Sequence, residues 1–272
     1  MSDLPTAYKG RYPFRLACPS FIYPAGYADN VRRLCACVDE IELLLLESDP
    51  RSLPRPAEIE ELAALATTGE IVFNIHLPTD VFPGDDRATV RSAAVDALLR
   101  VIDLARPLAP TSWTLHLPFI ASPGESSADP AGWRDRVRGS LTRLLKASGL
   151  PAEAIALETL DYPFYYLDPI LQDLGCSVCL DTGHLMVREE NCRELYRTFR
   201  ERVIILHIHG VDRGRDHLSL DRLSPDQTGE LSGILRDFHH SVSLEVFSPD
   251  NLSASLIYLD RIWRNFSKSD NE

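Results

Sequence analysis

The chain has too few basic residues to balance its acidic ones, and it lacks long apolar runs. Its 272 residues include 28 Lys and Arg against 40 Asp and Glu, which gives a net charge of −12. Because binding to a nucleic-acid backbone relies on Lys and Arg displacing counterions, this balance disfavours a nucleic-acid partner. No apolar run reaches about 18 residues, and the first residues lack the apolar core of a signal peptide. We therefore expect a cytoplasmic protein without membrane contact.

Metal-binding or redox cysteine motifs are also scarce. The only CxxC pair is Cys176 and Cys179, and no second pair completes a four-cysteine zinc site. That pair begins a β-rich run, while Cys35 and Cys37 lie on the apolar face of a predicted helix end, so we predict reduced, partly buried core thiols. No glycine-rich phosphate fingerprint follows the first predicted strand, which leaves a doubly wound sheet as the weaker alternative for the fold.

Short apolar runs recur along the chain with amphipathic helical patterns between them, such as 88–105 and 251–266. Continuous apolar runs suit strands that are buried on both faces of a parallel sheet. Eight strand–helix units predict one α/β domain over residues 1–272, a single TIM (β/α)8 barrel with an N-terminal arm to about residue 12 and a frayed tail from about 267. The runs are 14–18, 40–48, 71–77, 112–119, 154–160, 177–183, 203–210 and 241–247.

Two long segments, 78–88 and 121–133, follow the third and fourth predicted strands. In a barrel, such βα loops lie on the catalytic face, so they are candidate walls of a substrate pocket. Aromatic residues in or beside the first, third and fourth of these loops predict an apolar wall against a large planar substrate. They are Tyr23, Tyr27, Phe82 and Phe119.

Histidines and carboxylates close six of the predicted strands, and barrel strands converge at that end. His184 in "DTGH" and His217 in "RDH" follow in the next loops, whereas His239 and His240 precede the last strand and are expected to be surface residues without a role. These side chains are typical ligands of divalent transition metals, so we predict a metal site there. The six strand-end residues are His76, His116, Glu158, Asp181, His209 and Glu245.

His207 and His209 share one face of the seventh strand, because side chains alternate with a period of two. His209 is nearer the rim and is predicted to be the ligand. His207 is one layer deeper and is predicted to orient a ligand from behind. Asp216, beside His217, is a further candidate ligand, and Asp212 is a candidate supporting residue.

The order His, His, Glu, "DTGH", "HGVD", "DH", Glu resembles the endonuclease IV and xylose-isomerase-like barrel superfamily, from Phe14 to about Phe266. The resemblance implies two ligand sets. The set of the single-metal sugar epimerases matches Glu158, Asp181, His209 and Glu245. The additional ligands of the multinuclear endonuclease IV type match His76, His116, His184 and the region of Asp216 and His217, although the Asp-x-His of that type is replaced here by an adjacent pair.

The additional histidines favour phosphoester hydrolysis over sugar isomerisation. An epimerase needs one metal and two acid/base carboxylates, whereas phosphodiester cleavage gains from two or three metals. Zinc suits the histidine-rich set, and the carboxylates would also accept manganese, iron or cobalt. Within this set Glu158, Asp181 and Glu245 are the predicted catalytic residues.

A narrower resemblance concerns residues 12–48, the "HLP" turns and "HGVDRGRDHLSL", which are similar to the cobamide-remodelling phosphodiesterases of the CbiR type. It implies a corrinoid substrate such as adenosylcobalamin, cleaved to cobinamide phosphate and an α-riboside. Three alternatives remain: a sugar or sugar-phosphate isomerase with a single divalent metal, an endonuclease IV-like DNA repair enzyme, and a non-catalytic corrinoid- or metal-binding barrel. Counting the bound metal ions separates the hydrolase from the isomerase.

Overall fold

A closed barrel of eight parallel strands forms the centre of the protein. The computed structural model describes residues 8–119 and 130–269. Around the barrel the strand order is β1-β10-β7-β6-β5-β4-β3-β2, so each strand pairs with its neighbours in sequence once the ribbon β8–β9 is set aside. This confirms the predicted TIM barrel. The barrel strands are β1 (Arg15–Pro19), β2 (Glu40–Leu44), β3 (Val72–His76), β4 (Trp113–Leu115), β5 (Ile155–Glu158), β6 (Ser177–Asp181), β7 (Val203–Ile208) and β10 (Ser241–Leu244).

Helices cover the outside of the barrel, and their apolar faces form one continuous core with the outward-facing strand residues. The amphipathic patterns at 88–105 and 251–266 correspond to α3 and α9. The helices are α1 (Tyr27–Leu34), α2 (Pro56–Gly69), α3 (Ala88–Ala105), α4 (Pro130–Ser148), α5 (Asp168–Leu174), α6 (Thr182–Val187), α7 (Cys192–Phe199), α8 (Pro225–Leu235) and α9 (Pro249–Ser269).

A two-stranded antiparallel ribbon, β8 (Gly210–Asp212) and β9 (Arg215–Leu218), follows β7. Its turn places Arg213 and Gly214 in the left-handed region, at φ 51° and 74°. The apolar run 203–210 predicted one strand to residue 210, but β7 ends at Ile208 and the chain then leaves the barrel. The ribbon returns Asp216 and His217 to the barrel rim, which a straight continuation of β7 would not do.

The two ends of the described chain pack against each other at the amino end of the barrel. Tyr12 stacks on Phe14 with ring centroids 5.0 Å apart, and Trp263 of α9 meets both rings edge-on at 5.6 Å. Tyr8 and Tyr12 are buried, so the described part of the predicted N-terminal arm belongs to the core. Helix α9 continues to Ser269, into the segment predicted as a tail.

The loop 78–88 packs against α4. Ser140 donates to the Pro83 carbonyl at 2.7 Å, and Arg136 donates to the Gly84 carbonyl at 2.8 Å. Gly84 is required here, because a Cβ at this position would lie 2.2 Å from the Trp133 indole nitrogen. Most of the second predicted loop wall, residues 121–129, lies outside the described residues.

All six cysteines are free, and five of them are buried. Burial raises the pKa of the Cys176 thiol to about 11, and it also raises the pKa of the Cys179 thiol. The predicted reduced core thiols are therefore confirmed. None of the described helices is both long enough and apolar enough to cross a membrane.

Candidate metal centre

The histidines and carboxylates that close the strands lie together at the carboxyl end of the barrel. His76, Glu158 and Asp181 are the last residues of β3, β5 and β6. The other three follow β4, β7 and β10 by one residue: His116, His209 and Glu245. His239 and His240 are exposed at the opposite end of the barrel, as expected.

Glu158 is the carboxylate with the most histidine contacts. Its Oε2 lies 2.7 Å from His116 Nε2 and 3.2 Å from His76 Nε2, and its Oε1 lies 3.2 Å from His207 Nδ1. Burial opposes its charge, but His116 and His207 hold the pKa of Glu158 well below its usual range. The side chain is therefore a carboxylate despite being almost completely buried.

Asp181 begins helix α6 and explains the "DTGH" spacing. Its Oδ1 accepts the backbone N–H of His184 at 2.8 Å, which caps the helix and places the His184 side chain beside the same carboxylate. Burial opposes its charge, while the neighbouring His209 and His184 lower the pKa of Asp181. Asp181 and Glu158 thus supply negative charge to one site.

Three histidines each give one ring nitrogen to a backbone carbonyl. The Nδ1 atoms of His76, His184 and His217 lie 3.0, 3.1 and 3.1 Å from the carbonyl oxygens of Leu77, Thr159 and Glu245. Because a carbonyl only accepts, each Nδ1 carries the hydrogen, and each neutral ring turns a bare Nε2 away from that carbonyl. His76 Nε2 then faces the Glu158 carboxylate at 3.2 Å, so two acceptors face each other unless a cation or a proton lies between them.

Among the described residues, four groups bring three or more ligand atoms within 4.8 Å of one another. Glu245 Oε2 is buried and lacks a hydrogen-bond partner in the described part of the chain, as expected for an oxygen that a cation satisfies. The donor set therefore fits divalent transition metals. The groups are His76–His116–Glu158, Glu158–Asp181–His207–Glu245, His184–His209–His217 and Glu158–Cys179–His207.

Gly183 of the "DTGH" turn makes room for the third of these groups. A Cβ at this position would lie 1.9 Å from the His209 ring, which therefore occupies the volume of a side chain at 183. The His209 ring stacks on that of His217 with centroids 4.3 Å apart, and His184 meets both rings edge-on.

Sequence reasoning missed Glu42, a completely buried carboxylate on β2. Its Oε1 lies 2.8 Å from His207 Nε2, and its Oε2 accepts the Ser243 hydroxyl at 2.6 Å. The available signal was the alternation of Glu40 and Glu42 within the apolar run 40–48. Two acids on one face of a buried strand need partners inside the barrel.

A cavity of about 400 Å³ opens beside the metal groups. Its wall is largely apolar. The one guanidinium among the described lining residues belongs to Arg188, which forms an ion pair with Glu190 at 2.7 Å. Of the two predicted aspartates, Asp216 borders this cavity and Asp212 lies on β8 with a half-exposed side chain, and neither joins any of the four groups. The lining residues are His116, Pro118, Leu160, Asp161, His184, Val187, Arg188 and Asp216.

The four aromatics predicted as a substrate wall do not form one surface. Phe119 lies in a cluster with Trp133, Tyr162 and Tyr166, with ring centroids 5.2 to 5.9 Å from its own. None of the four is among the residues that line this cavity. Tyr27 donates to the Leu44 carbonyl, Tyr23 lies beneath Arg33, and Phe82 belongs to the loop packed on α4.

A family model described as a xylose isomerase-like TIM barrel matches residues 38–261. The chain belongs to the xylose isomerase-like TIM barrel family. The predicted superfamily is confirmed at this level, whereas the narrower resemblance to cobamide-remodelling phosphodiesterases stays a prediction.

Solved structures with the same xylose isomerase-like barrel include both epimerases and an endonuclease. A D-tagatose 3-epimerase-like protein has a TM-score of 0.78 at 17% identity, over 94% of this chain and 99% of that chain. An L-ribulose 3-epimerase has a TM-score of 0.73 at 17% identity, over 95% and 97%. Endonuclease IV from Thermus thermophilus has a TM-score of 0.67 at 21% identity, over 92% and 99%. At these identities the likeness shows the fold, and no curated protein sequence matches the chain.

We predict that Gly183→Ala disturbs the metal centre of this xylose isomerase-like barrel. The added Cβ displaces the His209 ring, which is expected to lower the free energy of unfolding by about 1–3 kcal/mol and to weaken the affinity of the site for zinc. Gly139→Ala on α4 is the matched control, because nothing lies within 4 Å of its Cβ. Urea unfolding and zinc titration check both variants, and unchanged stability in Gly183→Ala would contradict the described packing.

Proposed function

We propose that the protein is a metal-dependent phosphodiesterase that hydrolyses the nucleotide loop of cobamides such as adenosylcobalamin. In this reaction the oxygen of water bonds to phosphorus and the bond from phosphorus to the ribose oxygen breaks. A proton goes to that ribose oxygen, so the products are cobinamide phosphate and an α-riboside.

The observation that carries the proposal is the number of ligand-rich groups around Glu158. One carboxylate–histidine group would suffice for a single-metal isomerase. Here His76 and His116 adjoin the same carboxylate from the other side, and His184, His209 and His217 form a further group. Bound divalent ions would lower the pKa of water and neutralise charge on phosphoryl oxygens. The donor set suits zinc, and manganese, iron and cobalt are alternatives.

The chain's own residues supply the rest of the chemistry. Glu158 lies between the first two groups and fixes their separation through Oε1 and Oε2. Asp181 and Glu245 flank it as further buried carboxylates, positioned to orient water and to hold protons near the phosphoryl group. His116 and Asp216 line the adjoining cavity, so a substrate in the cavity would reach the site directly.

Exposed apolar side chains on the catalytic face support a large, partly apolar substrate. Phe21, Tyr165 and Phe247 lie in three different strand-to-helix connections, Val187 ends α6, and the four side chains are 37% to 61% exposed. Exposed apolar side chains gathered on one face indicate a binding surface rather than solvent contact alone. A corrin ring system would cover such a rim, whereas a single sugar fills only the cavity.

A sugar or sugar-phosphate isomerase is the second candidate, and one observation favours it. The group Glu158–Asp181–His207–Glu245 is complete with a single ion, which is the chemistry that a one-metal epimerase needs. An endonuclease is disfavoured by the net charge of −12 and by Asp161 and Asp216 in the cavity wall. A ligand-rich site that is open to a cavity suits catalysis better than storage, which disfavours a non-catalytic corrinoid- or metal-binding barrel.

The test of the proposal is incubation of the metal-loaded protein with adenosylcobalamin, followed by mass spectrometry. We expect cobinamide phosphate from the wild type and background levels from Glu158→Gln, which keeps the side-chain shape but removes the shared carboxylate. Parallel incubation with ketohexoses tests the isomerase. Epimerised sugar with intact adenosylcobalamin, or full cobamide turnover by Glu158→Gln, would contradict the proposal.

The rim gives a second prediction. The double variant Tyr165→Ala and Phe247→Ala removes two exposed rings that belong to none of the ligand groups, so we expect a higher KM for adenosylcobalamin by roughly 10-fold, since truncating apolar contacts typically costs about 1–3 kcal/mol. Ile257→Ala on α9 is the control, because Ile257 is equally exposed but lies outside the rim. An unchanged KM in the double variant would show that these two rings do not contribute to substrate binding.

A further inference from the structure

The two histidines at the end of β7 differ in whether one ring nitrogen is left free to bind a cation. The backbone N–H of His217 points at His209 Nδ1 at 2.9 Å. A backbone N–H can only donate, so His209 Nδ1 accepts and the neutral ring carries its hydrogen on Nε2. That Nε2 lies 3.1 Å from Asp181 Oδ1, so it donates to the carboxylate and offers no lone pair to a cation.

His207 also places its Nε2 against a carboxylate, but no backbone N–H in the described part of the chain is directed at its Nδ1. Its Nε2 lies 2.8 Å from Glu42 Oε1, the shortest of its contacts, and the other Glu42 oxygen is held by the Ser243 hydroxyl. A carboxylate behind one ring nitrogen places the hydrogen there and leaves the other nitrogen bare, as in carboxylate–histidine–metal triads. Both His207 and Glu42 are completely buried, which fixes the ring orientation.

The bare nitrogen of His207 faces three carboxylates at once. Its Nδ1 lies 3.2 Å from Glu158 Oε1, 3.2 Å from Glu245 Oε2 and 3.9 Å from Asp181 Oδ2. Glu245 Oε2 has no hydrogen-bond partner in the described residues, so its approach to Nδ1 is not a hydrogen bond of good geometry. Four ligand atoms therefore surround one point, one from each of four strands or strand ends.

We propose that His207, through Nδ1, is the β7 ligand of the carboxylate group, and that Glu42 is the positioning residue that fixes its tautomer. His209 then orients Asp181 and binds no ion. This reverses the ranking read from the sequence, in which His209 was the ligand and His207 its support. The inference rests on the site being a metal centre, as in the proposed function, but not on the identity of the substrate.

The first test compares His207→Gln with His209→Gln in the full-length protein, without any cobamide present. After loading with zinc, we expect His207→Gln to bind one ion fewer per chain than the wild type. His209→Gln is expected to keep the full number of ions with affinity weaker by about 10–100-fold, as for the loss of a supporting residue. Loss of an ion from His209→Gln alone, or from neither variant, overturns the assignment.

The second test uses Glu42 and remains decisive if His207→Gln fails to fold. Glu42→Gln removes the charge behind His207 while keeping the side-chain size, and a chelator competition is expected to show zinc affinity weaker by about 10–100-fold. Glu40→Gln is the matched control, since Glu40 is an equally buried acid on the same strand that pairs with Thr111 and Arg15 instead. Equal affinity in the two variants overturns the role of Glu42.

Long-range 1H–15N NMR of the zinc-loaded wild type reads the tautomers directly. We expect a protonated Nε2 and a metal-bound Nδ1 in His207, and a protonated Nε2 in His209. A doubly protonated His207, bridging Glu42 and Glu158 as an ion pair, overturns the proposal. Because these measurements use zinc alone, a failure of cobamide turnover leaves them unaffected, and the two proposals can fail separately.

Discussion

The structure depends on how the barrel stabilises the negative charges of the carboxylates that are buried at the carboxyl ends of its strands. Glu42, Glu158, Asp181 and Glu245 are all at least nine-tenths buried, and an isolated carboxylate in such a position would be strongly destabilising. In the described part of the chain, histidine is the one residue type that contacts each of the four carboxylates. Unlike Lys or Arg, a neutral imidazole can share a cation with a carboxylate, so the same contacts that allow burial also form the candidate metal centre.

This compensation divides the protein into two layers with different chemistry. Between strands and helices, the core is a continuous apolar cluster that stabilises the fold. Inside the barrel, the core is polar well below the rim. There the side chains of Asn74 and Thr114 are completely buried and lack hydrogen-bond partners among the described residues. Ala156, Cys179 and Ile205 form only a small apolar cluster there. Most of the apolar contacts that stabilise the fold therefore lie in the outer layer, and the inner layer holds the charged groups.

The sequence predicted the barrel well because buried parallel strands appear as continuous apolar runs, and it predicted the positions of His76, Glu158 and Asp181 because polar residues ended those runs. It could not predict the ribbon β8–β9, whose turn depends on a left-handed Arg213. Nor could it predict the contact between Glu42 and His207, which are 165 residues apart. The direction of each imidazole depends on where single backbone carbonyls and N–H groups lie, and no residue pattern encodes that.

The number of ions at the rim is the quantity on which the functional account depends. A crystal of the zinc-loaded protein, measured on both sides of the zinc absorption edge, gives the number and positions of the ions as anomalous peaks. The account predicts at least two peaks, one beside His76 and His116 and one among Glu158, Asp181, His207 and Glu245. A single peak, with no ion bound by His76 or His116, would contradict the account.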